Sequence, residues 1–255
     1  MKKFSFGDNW LSYSRDITEQ VVCQATGALT HLLDEAWVQG KTVIDVGCGS
    51  GLSTLAFLRL GASQVYAIDI DAQCVRLTQQ IVRREQCGGR VSVRCLSVLD
   101  PHLSQQLPLA DVVYAWGALH HTGAMWQALA QAASLVAPGG FLAIALYNRH
   151  WTSPLWRGIK IAYNQAPAWL QKAAVLGYFF LGRIYNYLAR RSIVTRRGMD
   201  VIHDIRDWLG GYPYEYASPQ EVQAFARTRS WELVKVVPCQ GMTGCNEFVF
   251  RISAC

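Results

Sequence analysis

Apolar residues along this chain change their spacing several times, and each change marks an element. Residues 43–47, 64–69, 91–96, 111–116 and 141–147 are short apolar runs bounded by glycine or polar residues, the pattern of strands buried on both faces. Between them the period lengthens to that of amphipathic helices. One runs from about Ser50 to Leu60 and stops at Gly61, and the next from Ala72 to about Gln86, stopping at Gly88-Gly89. A third covers Met125–Val136 and closes at Pro138-Gly139-Gly140. Strands alternating with helices over short connections predict a parallel, doubly wound α/β sheet.

Ahead of this unit, residues 1–40 read as helical, with Phe4, Phe6, Trp10 and Tyr13 and then a periodic apolar run from Ile17 to Trp37. After Tyr147 the rhythm breaks. Residues 148–217 are aromatic-rich and helical in pattern, with no clear strand. It resumes at Ser218-Pro219-Gln220-Glu221, where Ser as N-cap, Pro at the first position and an acidic first turn announce a helix. Strands Trp231–Val237 and Glu247–Ile252 follow, joined through the Gly241–Gly244 turn; they can pair as a hairpin in which only one runs against the sheet. The expected fold is one α/β domain of seven strands, mostly parallel, with a helical insertion after the fifth.

Half of the 255 residues are apolar, enough for a full core. The net charge of +6 is unevenly placed: residues 149–217 hold ten Lys/Arg against four Asp/Glu, and the remainder balances. Eight cysteines are scattered without C-x-x-C pairs, a spacing that argues for reduced thiols in a cytoplasmic protein and against a disulfide scaffold or zinc site. Met1 to Trp10 has two lysines but no apolar core or small-residue cleavage site, so no signal peptide is expected there.

The first strand runs into Val43-Ile44-Asp45-Val46-Gly47-Cys48-Gly49-Ser50-Gly51. Glycines at 47, 49 and 51 let the backbone pass close beneath a ligand while the next helix presents unpaired N–H groups. Leu52 stands where a dinucleotide fingerprint needs a small residue, and Asp45 suits a ligand with a cationic amino group better than a pyrophosphate. The ligand indicated is S-adenosylmethionine (SAM). Its carboxylate would meet the glycine loop and its amino group Asp45, while Asp69, ending the second strand, would accept both ribose hydroxyls. At the end of the third strand, Ser97 or the Val98 N–H would meet the adenine edge. The candidate cofactor set is Asp45, Gly47, Cys48, Gly49, Gly51, Asp69, Ile70, Ser97, Val98 and Trp116.

These motifs, with Asp111-Val112-Val113-Tyr114-Ala115-Trp116-Gly117-Ala118-Leu119-His120-His121 and the stretch from Leu135 to Asn148, resemble the class I SAM-dependent methyltransferases. The resemblance covers about 41–147 and 218–252. It implies SAM as cofactor, a last strand antiparallel to the rest, and methyl transfer by in-line displacement. It does not name the acceptor, because the fold serves many. Where many members of that family carry Asp, this chain has Ser97, which leaves adenine contact there to backbone groups. On this reading 41–147 and 218–255 bind the cofactor, 1–40 cover the site and 148–217 form a lid that binds the acceptor.

Histidines 120 and 121 follow the fourth strand, where imidazole can take a proton from a hydroxyl or nitrogen, or merely serve the loop. Tyr147 and Asn148 end the fifth strand at the same rim. No carboxylate pair accompanies the histidines, so no metal is expected. Within the insertion, 151–191 interleaves aromatic with basic residues and suits a lid, a peripheral membrane contact or a dimer surface. Further on, Asp200, His203, Asp204 and Asp207 share one helical face, as a salt-bridge cluster with Arg197 and Arg206 or as an acceptor wall with His203 a second base. The expected partner is a small or medium-sized acceptor modified at O, N or C. Alternatives are a SAM-consuming enzyme that does not transfer methyl, such as a cyclising one releasing methylthioadenosine, and an RNA-modifying methyltransferase. The oligomeric state stays open.

Overall fold

The computed structural model describes residues 7, 9–10, 17–188, 201–239 and 244–253. Phe4, Phe6, Tyr13, Arg197, Asp200 and most of the 241–244 turn lie outside the described residues. In chain order the elements are α1 Glu19–Leu32, β1 Thr42–Val46, α2 Leu52–Arg59, β2 Gln64–Asp69, α3 Ala72–Arg84, β3 Val91–Cys95, the single-turn α4 Leu103–Gln106, β4 Ala110–Trp116, α5 Met125–Ala133 and β5 Val136–Tyr147. Then come α6 Ser153–Gln165, α7 Ala168–Leu188, α8 Val201–Gly210, α9 Pro219–Arg227, β6 Trp231–Val237 and β7 Cys245–Ile252.

The seven strands form one sheet in the order β3-β2-β1-β4-β5-β7-β6. The first five are parallel, β7 runs antiparallel to β5, and β6 antiparallel to β7. Strand order reverses between β1 and β4, which opens a crevice at their carboxyl ends. Successive residues point to opposite faces, so Val43 and Val112 pack beneath α1, α2 and α3, while Ile44 and Val113 pack against α5 and α9. Both faces are therefore covered, which is why these strands read as continuous apolar runs.

Most boundaries fall within two residues of the sequence pattern, and one differs in kind. The helix expected to reach Val136 ends at Ala133, and β5 begins at Val136. Ala110 pairs Val136, but Val112 pairs Phe141, so Pro138-Gly139-Gly140 bulges from the strand and does not cap the helix. The helix after Ser218 does carry the full capping box, with Ser218 accepting from the Glu221 amide and Glu221 reaching back to Ser218.

The insertion leaves and rejoins the sheet at one place. Asn148 bridges Ala217, and the Ala217 amide donates to the Tyr147 carbonyl at 3.0 Å. Its helices have a small core of their own, in which Tyr163, Val175, Ile205 and Leu209 pack together.

Candidate functional site

A cavity of about 720 Å³ opens at the carboxyl ends of β1, β2, β3 and β4, within the usual range of a small-molecule site. Gly47, Cys48, Gly49, Asp69, Ile70, Ser97, Val98 and Trp116, all proposed from sequence to meet the cofactor, line one side of it. Gly47 has φ of +77°, and a Cβ there would stand 2.4 Å from that of Ala118. Gly47→Ala is expected to destabilise the protein by about 1–3 kcal/mol through this overpacking and to weaken SAM binding, as read by urea unfolding and calorimetry. Unchanged stability and affinity would show that the loop has room to spare.

Helix α2 begins at this loop with no side-chain cap, and its Leu52 and Ser53 line the cavity. Its unpaired amides and the positive end of its dipole suit a carboxylate. The Asp69 carboxylate accepts from the Gly49 amide at 3.0 Å and the Asp71 amide at 2.9 Å, with the Ile70 amide adding to these, and burial raises its pKa. Ile70 beside it is 73% exposed, an apolar rim at the strand end. Ser97 uses its hydroxyl to accept from the Leu99 amide, closing a turn.

Asp45 and Gly51 are placed otherwise than the motif suggests. Neither lines the cavity. Asp45 is buried beneath the loop, where the Thr54 hydroxyl donates to it at 2.7 Å. Burial raises its pKa to about 7; the Thr54 bond opposes this and Asp69 adds to it. Its place is under the cradle, tying β1 to α2.

The other wall comes from the turn after β4, the end of β5, and α8 with the loop that follows it. His120, His121 and Tyr147 line it, with Asp204, Ile205, Asp207, Trp208 and Tyr212. The two histidines differ sharply. His120 is 1% exposed; its Nδ1 lies 3.3 Å from the Tyr147 amide, and its ring also bonds the Ala145 backbone. It holds the end of β5 in place, and burial keeps it neutral. His121 Nδ1 lies 2.7 Å from the Pro213 carbonyl. A carbonyl only accepts, so Nδ1 carries the proton and Nε2 is the basic nitrogen. Burial lowers its pKa to about 3. A Cβ on Gly211 would meet the His121 ring at 2.6 Å, so glycine there lets α8 close onto the imidazole.

Asn148 and His203 do not line the cavity. Asn148 accepts from Asn246 at 2.9 Å and belongs to the base of the insertion. His203 sits on α8 and offers its backbone carbonyl to Asn9 at 3.0 Å. On that helix it is Asp204 and Asp207 that line the cavity, because residues one position apart on a helix point about 100° apart.

Lys160 carries no sequence signature of function, yet it is fully buried on α6. Its ammonium donates to the Trp208 carbonyl and lies 4.4, 4.9 and 5.4 Å from the rings of Trp208, Tyr214 and Tyr147. Burial lowers its pKa to about 7, and Asp207 pulls the other way. Asp207 in turn is raised to about 8 by burial, although Asn9 donates to it at 2.7 Å. The available signal was spacing: Trp156, Lys160 and Tyr163 form one stripe of α6, and a lone cation on an apolar stripe asks for partners. The Asn9 bond ties that residue to α8 beside the cavity, and its neighbour Trp10 lines the cavity and packs on Gly49.

Among the described residues no cluster of His, Cys, Asp or Glu could hold a metal. Residues 43–140 match the model of a methyltransferase domain. The ribosomal protein L11 methyltransferase of Alteromonas mediterranea is 44% identical over 92 residues, 35% of this chain and 29% of that protein. The ubiquinone biosynthesis O-methyltransferase of Rhodopseudomonas palustris is 30% identical over 118 residues, 46% of this chain and 43% of that protein. The chain thus spans less than half the length of these curated relatives. In fold it is similar to the SAH-bound magnesium protoporphyrin IX methyltransferase of Synechocystis, with a TM-score of 0.55 at 15% identity over 92% of this chain and 83% of that one.

Proposed function

We propose, from the premise that residues 43–140 form a class I SAM-dependent methyltransferase domain, that this chain methylates a small or medium-sized acceptor held between the sheet and helix α8. One observation carries the proposal. A single cavity joins the glycine loop and Asp69 to a wall built from His121, Tyr147, Asp207 and Trp208. The first group suits the donor and the second an acceptor, so both would meet at the carboxyl ends of the strands.

The cradle residues fit the cofactor. The uncapped start of α2 would hold its carboxylate, Asp69 its ribose hydroxyls, and Ile70 with Val98 its adenine. When bound, SAM supplies an already activated methyl group, so positioning is the larger part of the work. The aromatic wall of Tyr147, Trp208 and Tyr212 favours a flat or hydrocarbon acceptor and excludes water from its reactive atom. His121 Nε2 would take the proton of a hydroxyl or nitrogen, with the Pro213 carbonyl fixing the tautomer. Helices α6, α7 and α8 act as the lid, and Lys160 positions Trp208 and Tyr147 from behind.

The test uses the purified chain with methyl-labelled SAM and a panel of phenols, amines and quinols. Label in an acceptor with release of S-adenosylhomocysteine supports the reading. Methylthioadenosine formed from SAM alone would support non-methyl use of the same donor and sink it. For the donor site, Asp69→Ala is expected to weaken SAM binding roughly ten- to a hundredfold, the worth of a charged hydrogen bond of about 1.5–3 kcal/mol. Calorimetry reads this directly, and unaltered affinity would move the ribose elsewhere.

A further inference from the structure

Helix α7 is turned the wrong way round for a helix on a water-facing surface. Trp169, Leu176, Phe180 and Ile184 recur at i, i+7, i+11 and i+15, so they form one stripe, and all are more than half exposed. Leu170 and Leu181 widen it on one flank, at 44% and 68% exposure. On the other flank stand exposed Lys172 and Arg183. Just before and at the start of α6, Trp151 and Leu155 are likewise 81% and 63% exposed, and Arg157 is exposed. The inner side of α7 already has its partners: Val175, Tyr178 and Phe179 pack against α8. The outer stripe is therefore not needed by the fold.

Along the chain, the charge on either side of it has one sign. Between Asp111 and Asp200 the chain carries nine Lys/Arg and no Asp or Glu. Four of these, Arg190, Arg191, Arg196 and Arg197, follow within nine residues of the end of α7. No described helix is long and apolar enough to cross a membrane.

We propose that α7 and the start of α6 form an interfacial docking face for an anionic lipid bilayer, with the apolar stripe seated among the acyl chains and the flanking cations at the headgroups. An apolar face bordered by Lys and Arg, with tryptophan at its edge, matches both layers of such a surface. Charge complementarity selects the occupant. A second copy of the chain would set this positive segment against itself. Single-stranded RNA would gain little from a stripe that is half aliphatic, since leucine and isoleucine do not stack on bases. The docking face does not depend on the methyl-transfer reading, because none of its stripe residues lines the cavity.

Vesicle sedimentation of the whole chain tests it. Vesicles of phosphatidylcholine with about a third phosphatidylglycerol should bind the protein at least tenfold more tightly than phosphatidylcholine alone, less so at high salt. Leu176→Glu with Phe180→Glu should abolish that binding while leaving SAM affinity and the circular dichroism spectrum unchanged. The milder Lys172→Gln with Arg183→Gln, which spares the apolar stripe, should weaken it severalfold. Equal binding to both vesicles, or none, would overturn the proposal. So would competition by poly-uridine, or a dimer in light scattering that the double glutamate variant converts to monomer.

Discussion

Replacing His121 by alanine is expected to lower turnover by about 10²-fold, the low end of the range for removing a positioned general base, because a group with a pKa near 3 is a weak base, while SAM affinity stays within about twofold. The expectation rests on tautomer and place. The Pro213 carbonyl fixes the proton on Nδ1, so Nε2 is the basic nitrogen of a side chain that lines the cavity on the side proposed for the acceptor. With a pKa near 3, His121 is already unprotonated at neutral pH. Its own titration therefore takes no activity away between pH 8 and pH 6. Steady-state kinetics with the acceptor found in the labelling screen gives the result. His120→Ala serves as the contrast: it loosens the end of β5 and lowers the melting temperature, because its nitrogens face the β5 backbone. If His121→Ala turns over at the native rate, the acceptor loses its proton without help and catalysis is positioning alone.

The second large effect is on stability. Asp207→Asn should stabilise the protein by an increment that grows with pH. In the native state Asp207 holds its proton up to about pH 8, against 3.8 for an ordinary aspartate. Between those values the folded form binds more protons than the unfolded one, so stability falls as pH rises through the window. The loss approaches about 1.4 kcal/mol per pH unit as an upper bound, because the cavity face of the carboxylate meets water. Asparagine keeps an oxygen for the Asn9 amide and never ionises, so it escapes this loss. Lys160 opposes the trend only above about pH 7, where its folded ammonium gives up a proton that the unfolded chain keeps. Urea unfolding of both proteins from pH 5 to pH 8 measures the difference. A gap constant across that range would mean that Asp207 is ionised in the folded state.

The parts of the site that could be read from sequence are those made within a few residues of chain. A strand, a glycine turn and a helix follow one another from Thr42 to Arg59, and Asp69 ends the next strand. Strand-end position puts all of them at one edge of the sheet, so Gly47, Gly49, Asp69, Ser97 and Val98 meet in one cavity. Asp45 shows the limit of that reading. Its spacing from the glycines is a local fact, but whether its carboxylate faces a ligand or Thr54 depends on which side of β1 the helix covers.

The acceptor wall shows the limit more sharply. His120 and His121 are indistinguishable in sequence, and the packing of β5 and of the loop around Pro213 separates a tie to the β5 backbone from a ring whose Nδ1 meets the Pro213 carbonyl. Lys160 and Trp208 are 48 residues apart, and Asn9 and Asp207 are 198 apart. The chain by itself determined the α/β sheet, the glycine loop at its carboxyl edge and the basic, carboxylate-free stretch, because periodicity, turn chemistry and charge are properties of neighbouring residues. Only the tertiary structure decided which titratable groups are buried together and which apolar face of the insertion is left outside. Those depend on desolvation and long-range packing, which no spacing along the chain records.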